Sequence, residues 1–378
     1  MIDFVEIRDK NRVLLGVIDN ADSIIWHPLY YGTGDFEIYV SCTAANFAML
    51  EAGNFVTRTD DRNVGIIEHV EITYDATNGR MIVASGRFAK SILDRRIIYS
   101  ISGHSVNPRI VSGNVETAAR TIVSENAISC TFDTARNMGL LELGPSAGIV
   151  KTIVDDYDDS TEKQVTYKEL LEYVETLLQE YQLGSYVTLD TSTLKLQFCV
   201  FEGADRSIIN TAGNDPIIFS QDFDNLLSSA YNVDTTTEKN TAIVGGEGEG
   251  MARFVSVYKQ SELTGIDRRE VFVDSSSTSK TYIDENENEK TLSDEEYDKQ
   301  LVSIGRQKVA SHEITETFEG DIDLHNGIWE YGVNKDYYLG DIVSIQDVEI
   351  GMYINARLIG IVETQDENGY TITGEFGV

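Results

Sequence analysis

The stretch with the most suggestive chemistry is a glycine-rich turn at residues 245–250, which follows the short apolar run Ala242–Val244. Its glycines are Gly245, Gly246, Gly248 and Gly250. A turn of this kind can cradle a phosphate, but that chemistry needs a basic residue and a helix that begins directly behind the turn. Here Glu247 and Glu249 would repel an anion, and no Lys-Ser or Lys-Thr pair follows. We therefore predict a structural glycine loop between two strands, with no cofactor-binding role.

Three other groups of residues could bind a metal or act as acids. His69 lies in a β-rich stretch without a second ligand at metal spacing, so we expect it to face solvent or a hydrogen-bond partner. The run Asp155–Asp159 has the acid density of a calcium loop but lacks the glycine and glutamate of an EF-hand, which indicates a solvated acidic loop. The carboxylates between residues 283 and 296 are not in visibly apolar surroundings, so we predict no glycosidase pair. The sequence thus predicts no catalytic residue, no metal ligand and no cofactor.

Composition excludes several classes of partner. The chain has 378 residues and a formal net charge of −33, because 63 acidic residues outnumber 30 basic ones. Such a surface repels phosphate, so we predict no specific nucleic-acid binding. We also expect no signal peptide and no membrane insertion, because the first residues are not basic and no apolar run approaches about 20 residues. The scattered cysteines fit neither a disulfide framework nor a zinc site, and we expect them to be buried or half-buried: Cys42, Cys130 and Cys199.

The pattern of elements is mainly β. Residues 2–18 read as a hairpin and residues 54–88 as a β-meander, with one strand at 65–74. Apolar residues at helical spacing predict helices at 114–125 and after a capping box at Thr166–Glu169. A second capping box at Ser293–Glu296 predicts another helix. The last strands form a hairpin around Asn368-Gly369.

Several motifs resemble one known family in their order. They are Pro216-Ile-Ile-Phe-Ser220, Asp224-Asn-Leu226, Lys239-Asn240, the glycine run, and Asp267-Arg-Arg-Glu-Val-Phe-Val-Asp274. Together they resemble the Gp37-like tail proteins of long-tailed phages and prophages, and the resemblance covers most of the chain. It implies a protein similar to the hubs that close the tail tube. The motifs are structural, so the resemblance implies an identity rather than a site.

The two ends of the chain resemble each other. Gly53-Asn-Phe-Val-Thr, a strand, a turn at Asn78-Gly79 and Gly86-Arg-Phe88 correspond to Gly340-Asp-Ile-Val-Ser, a strand, a turn at Asn368-Gly369 and Gly374-Glu-Phe376. Turns of this kind also occur in unrelated β-meanders. Our interpretation is an α+β, mainly β, hub-like fold with two related tube-type β-barrels and α/β insertions. We predict a first barrel at 1–100, an α/β domain at 101–190, and a second barrel at 191–378 interrupted by an acidic excursion at 274–312.

The leading functional hypothesis is a structural protein of the phage tail. The resemblance implies a baseplate hub or tail-tip protein that closes the tail tube as a homotrimer, because three chains with two barrels each would make six equivalent units. Its expected partners are tail-tube, tape-measure-associated and receptor-binding or fibre proteins, in a virion tail assembled in the host cytoplasm. The alternative is a tail-associated cell-wall hydrolase or endopeptidase, although no nucleophile–base or metal constellation is visible. A third interpretation, a carbohydrate-binding β-protein, is compatible with the 19 tyrosines, which show no cluster.

Overall fold

The computed structural model describes residues 2–76, 79–102, 105–107, 109–154, 162–276, 278–283, 289–312, 314–322, 329–349 and 351–377. Within these ranges the chain is mainly β with few helices. It forms two compact units. The first comprises Met1–Ile153, Thr161–Ala230 and Thr317–Val378, and the second comprises Val154–Ser160 and Tyr231–Glu316.

The bounds of the elements follow in chain order. The strands are β1 Val5–Arg8, β2 Leu14–Ile18, β3 Ala21–His27, β4 Asp35–Ser41, β5 Phe55–Thr57, β6 Val64–Ile66, β7 His69–Asp75, β8 Gly79–Arg87, β9 Ser100–Ser102, β10 Ser105–Asn107, β11 Arg109–Ser112, β12 Leu141–Leu143, β13 Glu162–Val165, β14 Gly184–Asp190, β15 Lys195–Phe201, β16 Ile218–Ser220, β17 Leu226–Asp234, β18 Thr241–Gly245, β19 Val255–Lys259, β20 Glu270–Asp274, β21 Thr281–Ile283, β22 Glu289–Thr291, β23 Thr315–Ile322, β24 Ile342–Asp347, β25 Met352–Asp366 and β26 Gly369–Gly377. The α-helices are α1 Ala44–Met49, α2 Val115–Val123, α3 Leu170–Glu180 and α4 Asp294–Ala310.

The largest sheet of the first unit joins strands from both ends of the chain. Its ten strands include the path β17–β23–β26–β25–β3–β4–β8–β7, with β24 paired to β25 and β16 paired to β24. A four-stranded sheet has the order β2–β1–β5–β6. Within the described residues this eight-stranded path is open, ending at β7 and at β17, so the two predicted closed barrels are not confirmed.

Three apolar cores lie in the first unit. One joins α2 and α3 to strands β12, β14 and β15. The second lies around β3, β4 and β8 and contains Trp26. The third lies around the β25–β26 hairpin and contains Tyr30 and Phe219. The predicted boundary at residue 190 coincides with the turn between β14 and β15, which share one core with the helices. The division into three domains stays a prediction.

The two ends that resemble each other in sequence also share a pairing register. We call residues 53–88 the N-terminal repeat and residues 340–376 the C-terminal repeat. In the first, Gly53 N–H donates to Ile67 O and Ile67 N–H donates to Asn54 O. In the second, Gly340 N–H donates to Leu358 O and Leu358 N–H donates to Asp341 O.

We call each of these two reciprocal pairs of backbone hydrogen bonds a clamp. The register continues along the strands that follow the two clamps. Phe55 pairs with Ile66 in the N-terminal repeat, and Ile342 pairs with Arg357 at the corresponding place in the C-terminal repeat. Each repeat then continues into an antiparallel hairpin, β7–β8 or β25–β26, and both hairpins belong to the ten-stranded sheet. The two repeats are therefore built on the same pairing scheme.

The second unit packs α4 against one face of the three-stranded sheet β19–β18–β20. Alternate residues of β18, Ala242 and Val244, are fully buried with Tyr297 and Leu301 of α4. The capping box predicted at Ser293 is confirmed, because Glu296 N–H donates to the Ser293 hydroxyl and the Glu296 carboxylate accepts from Ser293 N–H.

Two local predictions are wrong. The helix with the predicted apolar stripe is present as α3, but the capping box at Thr166–Glu169 is not. The helix begins at Leu170, because Tyr167 has a φ of 58° in the left-handed region, which interrupts a helix. The strand expected at 65–74 is divided into β6 and β7, which belong to different sheets. Among the helices of the described residues, none is both long and apolar enough to cross a bilayer.

Candidate functional site

The glycine loop connects two neighbouring antiparallel strands of the second unit, β18 and β19. Two of its glycines need left-handed backbone, since φ is +97° at Gly248 and +56° at Gly250. A third, Gly246, lies so close to α4 that a Cβ there would be 2.6 Å from Leu301 Cδ1. A single 3-10 turn at Gly250–Ala252 follows, where a phosphate-binding loop would open into a longer helix.

The polar groups of this loop are already bonded within the second unit. Gly246 N–H donates to Phe254 O at 2.8 Å, and Glu247 N–H donates to the Tyr297 hydroxyl at 2.7 Å. The Arg253 guanidinium donates to the carbonyl of Gly245 at 2.9 Å. These contacts favour a structural turn over a phosphate cradle, because the N–H groups of the turn at Gly246 and Glu247 have partners.

The other residues that the sequence pointed to do not converge. His69 is exposed on β7. His27 lies beside Asp35, and the His312 ring is hydrogen-bonded to Lys308 O. Among the residues that the structure describes, no group of three His, Cys, Asp or Glu side chains is placed to hold a metal ion. The acidic run at 155–159, the carboxylates at 284–288, and His104 and His325 fall outside the described residues. All three cysteines are free, with Cys42 half-buried and Cys130 and Cys199 buried, as expected.

A cleft that the sequence did not reveal lies in the first unit. It has a volume of about 620 Å³ and is lined by the loop after β5, by residues 329–335 and by side chains of the β25–β26 hairpin. Its floor is an ion pair of Arg58 and Glu363, whose side chains are each 3% exposed. Arg58 donates to the two oxygens of Glu363 at 3.0 and 3.1 Å, and the Tyr370 hydroxyl also donates to Glu363.

Two carboxylates share one guanidinium on this floor. Arg58 donates two further bonds to Asp60, at 2.9 and 2.7 Å. Although burial alone would lower the pKa of Arg58, its bonds to Asp60 and the charge of Glu363 raise that pKa well above its ordinary value. Burial would likewise raise the pKa of Asp60, but the bonds and charge of Arg58 outweigh it and lower that pKa. Arg58 and Asp60 therefore both stay charged near neutral pH.

One wall of the cleft is an arginine enclosed by aromatic rings. The guanidinium carbon of Arg62 lies 4.1 Å from the ring centre of Tyr186, 3.9 Å from that of Phe201 and 4.2 Å from that of Tyr338. Tyr338 in turn stacks on Tyr331, with ring centres 5.5 Å apart and planes 6° apart. Contacts between a guanidinium and aromatic faces are attractive and hold the arginine in place.

Another part of the lining is a short loop closed by its own hydrogen bonds. Gly332 N–H donates to Tyr337 O at 3.1 Å, and Asp336 N–H donates to Glu330 O at 3.0 Å. Lys335 pairs with Glu330 at 2.6 Å. Burial, with the neighbouring Tyr338, Glu363 and Asp61, raises the pKa of Tyr331 well above its ordinary value, so its hydroxyl stays protonated. Tyr331, Tyr337 and Tyr338 lie within eight positions of one another, a local grouping that the sequence analysis did not single out.

Comparison with known proteins places the chain in one family. A profile of the family described as Siphovirus ReqiPepy6 Gp37-like protein matches residues 4–378. No curated protein matches. Among solved structures, the chain is similar to the tail protein from Neisseria meningitidis MC58, with 14% identity, a TM-score of 0.56, and coverage of 99% of this chain and 96% of that one. It is also similar to the 43 kDa tail protein of prophage MuSo2 from Shewanella oneidensis, with 12% identity, a TM-score of 0.56, and coverage of 99% and 98%.

Proposed function

The chain belongs to the Siphovirus ReqiPepy6 Gp37-like family and is a phage or prophage tail protein, and we propose that it is the hub at the distal end of the tail tube. The observation that carries the proposal is the pairing register shared by the two repeats. Three chains would contribute six units of similar backbone geometry, which matches the six-fold tube implied by the sequence resemblance. The proposed assembly is therefore a homotrimeric ring.

Open sheet edges support this assembly. In the described residues the sheets of the first unit end at β2, β7 and β17, among other strands. Strand β2 is unusually apolar for an edge, since Leu14 and Leu15 are each 47% exposed and Val17 is 44% exposed. Proteins normally cover such edges, and a head-to-tail contact that closes into a ring would cover one on every chain.

The proposed role is structural and non-enzymatic. The hub would hold tail-tube, tape-measure-associated and receptor-binding or fibre proteins in the virion tail, after assembly in the host cytoplasm. Within the described residues no specific observation favours the alternative, a tail-associated cell-wall hydrolase or endopeptidase.

The oligomeric state across a salt series tests the proposal. A net charge of −33 per chain opposes association at low ionic strength, where repulsion reaches further. We expect light scattering to show monomers in dilute, low-salt solution and trimers at high salt and high protein concentration. The same protein should give no clearing zone on zymograms of bacterial cell walls. A stable two-fold dimer would contradict the hub, and a clearing zone lost on substituting one His or Asp would favour the hydrolase.

A further inference from the structure

We propose that the cleft between residues 58–62 and 329–335 binds a neutral saccharide unit. Its volume of about 620 Å³ lies in the range of small-molecule sites, about 300–1,000 Å³. Three features of the cleft support this proposal: most of its charges are paired, two donors that line it have no partner among the described residues, and Trp329 is in its lining.

The charges of the cleft do not suit an ionic ligand. Arg58 is bonded to Glu363 and Asp60, Lys335 is paired with Glu330, and Arg62 is enclosed by three aromatic rings. Asp61 accepts hydrogen bonds from Asn63 and Tyr338. Because the lining carboxylates slightly outnumber the lining cations, an anion would be repelled. A ligand that exchanges hydrogen bonds without carrying charge fits this lining better.

Two donors that line the cleft lack a hydrogen-bond partner among the described residues, the Arg62 Nη2 and the Tyr331 hydroxyl. The Tyr331 side chain lines the cleft, and its hydroxyl is buried with no partner among the described residues. Stacking on Tyr338 holds the ring, so the hydroxyl oxygen keeps this position. A buried hydroxyl without a partner is unfavourable, and a ligand hydroxyl would supply the missing acceptor.

The surrounding side chains match the two kinds of surface that a sugar presents. The half-buried Trp329 offers an amphipathic ring on which the C–H face of a pyranose can stack. Asp60 and Glu330 are exposed acceptors at the rim, and the Asn334 amide can both donate and accept. Hydroxyl groups at several positions of one sugar ring can satisfy these groups together with Tyr331.

Titration of the intact protein with defined sugars tests this inference. The probes are glucose, galactose, N-acetylglucosamine and its β1,4-linked dimer, with inorganic phosphate and glucuronic acid as charged comparisons. Trp26 and Trp329 are the only tryptophans of the chain, and Trp26 is fully buried. We expect saturable binding of at least one neutral sugar, seen by calorimetry and as a fluorescence change that Trp329→Phe removes. The charged probes should bind more weakly.

A matched pair of tyrosine variants separates a ligand contact from a structural effect. Tyr331→Phe keeps the stacked ring and should weaken sugar binding about 10-fold. Tyr337→Phe is the control, because the Tyr337 hydroxyl is also buried without a partner among the described residues but does not line the cleft. It should leave the affinity unchanged, and both variants should melt within a few degrees of the parent protein.

Three results would overturn the inference. The first is the absence of saturable binding for every neutral sugar. The second is binding that Tyr331→Phe leaves unchanged, or that both tyrosine variants weaken equally. The third is a Tyr331→Phe protein that loses stability and binds no less sugar, since the hydroxyl would then serve a buried water.

Discussion

The N-terminal and C-terminal repeats share the same backbone clamp, but the second residue of the clamp, Asn54 or Asp341, makes different side-chain hydrogen bonds in each. Asn54, buried in the first repeat, donates its side-chain amide to Met49 O at 2.9 Å, five positions away. Asp341, buried in the second, accepts from Ala204 N–H at 2.7 Å, Arg206 Nε at 3.0 Å and Tyr338 N–H at 3.0 Å. The uncharged amide of Asn54 therefore closes a local turn. The carboxylate of Asp341, at the same position of the clamp, binds residues 204–206, which are distant in sequence.

The strand that follows the clamp also differs between the repeats. In the N-terminal repeat it changes partner at Glu68, whose N–H donates to Ser85 O, and so becomes β6 in one sheet and β7 in another. In the C-terminal repeat the corresponding strand, β25, stays continuous, and its pairing register with β26 shifts between Leu358 and Gly360. One pairing scheme thus produces a corner in the first repeat and one continuous strand in the second.

The largest expected effect comes from the ion pair that joins the two repeats. Arg58 follows β5 of the N-terminal repeat, and Glu363 lies in β25 of the C-terminal repeat, 305 positions away. Arg58→Met leaves the Glu363 carboxylate buried without its cation, which should reduce the free energy of unfolding by about 3–5 kcal/mol. Urea denaturation followed by circular dichroism measures this change.

Two variants sharpen this test. Arg87→Met breaks an exposed pair with Glu68 inside the N-terminal repeat and should cost less than about 1 kcal/mol. The double variant Arg58→Met/Glu363→Leu removes both buried charges and should be more stable than Arg58→Met alone. If Arg58→Met costs no more than Arg87→Met, the buried pair does not hold the repeats together.

The next largest loss of stability is expected at the first residue of each clamp, Gly53 or Gly340, and these two glycines form a matched pair. Gly53 and Gly340 have φ values of +90° and +95°, so an alanine at either position is strained by about 1–2 kcal/mol. At Gly340 the new Cβ would also lie 2.2 Å from the Tyr30 ring, which is fully buried, whereas at Gly53 it would meet the flexible end of Lys10. We expect Gly340→Ala to cost about 3 kcal/mol or more and Gly53→Ala about 1–2 kcal/mol. Equal losses in urea denaturation would show that the packing around the two clamps is equivalent.

The smallest effect concerns the residues that precede the last phenylalanine of each repeat. Arg87 pairs with Glu68, but the corresponding Glu375 lies 3.3 Å from His27. The contact with Glu375 raises the pKa of His27 against the effect of burial, and the same contact lowers the pKa of Glu375. The stabilisation by this pair is therefore complete below the ordinary His pKa of 6.5, is lost as pH rises through the raised pKa, and is also lost in acid as Glu375 becomes protonated.

Denaturation at pH 6 and pH 8.5 tests this pH dependence. We expect a decrease in stability of less than about 1 kcal/mol at the higher pH. His27→Gln should remove that part of the decrease, whereas Arg87→Gln should not change it, because neither Arg87 nor Glu68 titrates in this interval. A decrease that persists unchanged in His27→Gln would contradict the assignment.

Predictions from the sequence succeeded where local rules decide the structure. The hairpin around Asn368-Gly369 and the capping box at Ser293 are both present, because each depends on residues only a few positions apart. The helix start at Thr166 failed because Tyr167 N–H donates to Ile98 O and Ile98 N–H donates to Lys168 O, and local rules do not include backbone bonds to so distant a segment. The single strand at 65–74 failed because its hydrogen-bond partners change at Glu68.

The cleft shows why a site built from residues that are distant in sequence cannot be predicted from local sequence rules. Its floor joins Arg58 to Glu363, and its arginine wall gathers Tyr186, Phe201 and Tyr338 around Arg62. None of these residues shares a periodic pattern or a motif with another, so only the folded chain brings them together. The tyrosines at 331, 337 and 338 are close in sequence, but that spacing alone predicts no contact with Arg62 or Glu363.

The pairing of β3 with β25 determines when the chain can finish folding. Trp26 is opposite Glu363 in the ten-stranded sheet, so almost the whole chain lies between these two neighbours. A ribosome adding about 5–20 residues per second needs on the order of tens of seconds to produce that partner. Until then the outer edge of the β3–β4 hairpin has no partner from this sheet and can pair with another nascent chain. Contacts between residues so far apart in sequence also slow the folding of the completed chain. Because folding is slow, aggregation of the unfolded chain competes with it.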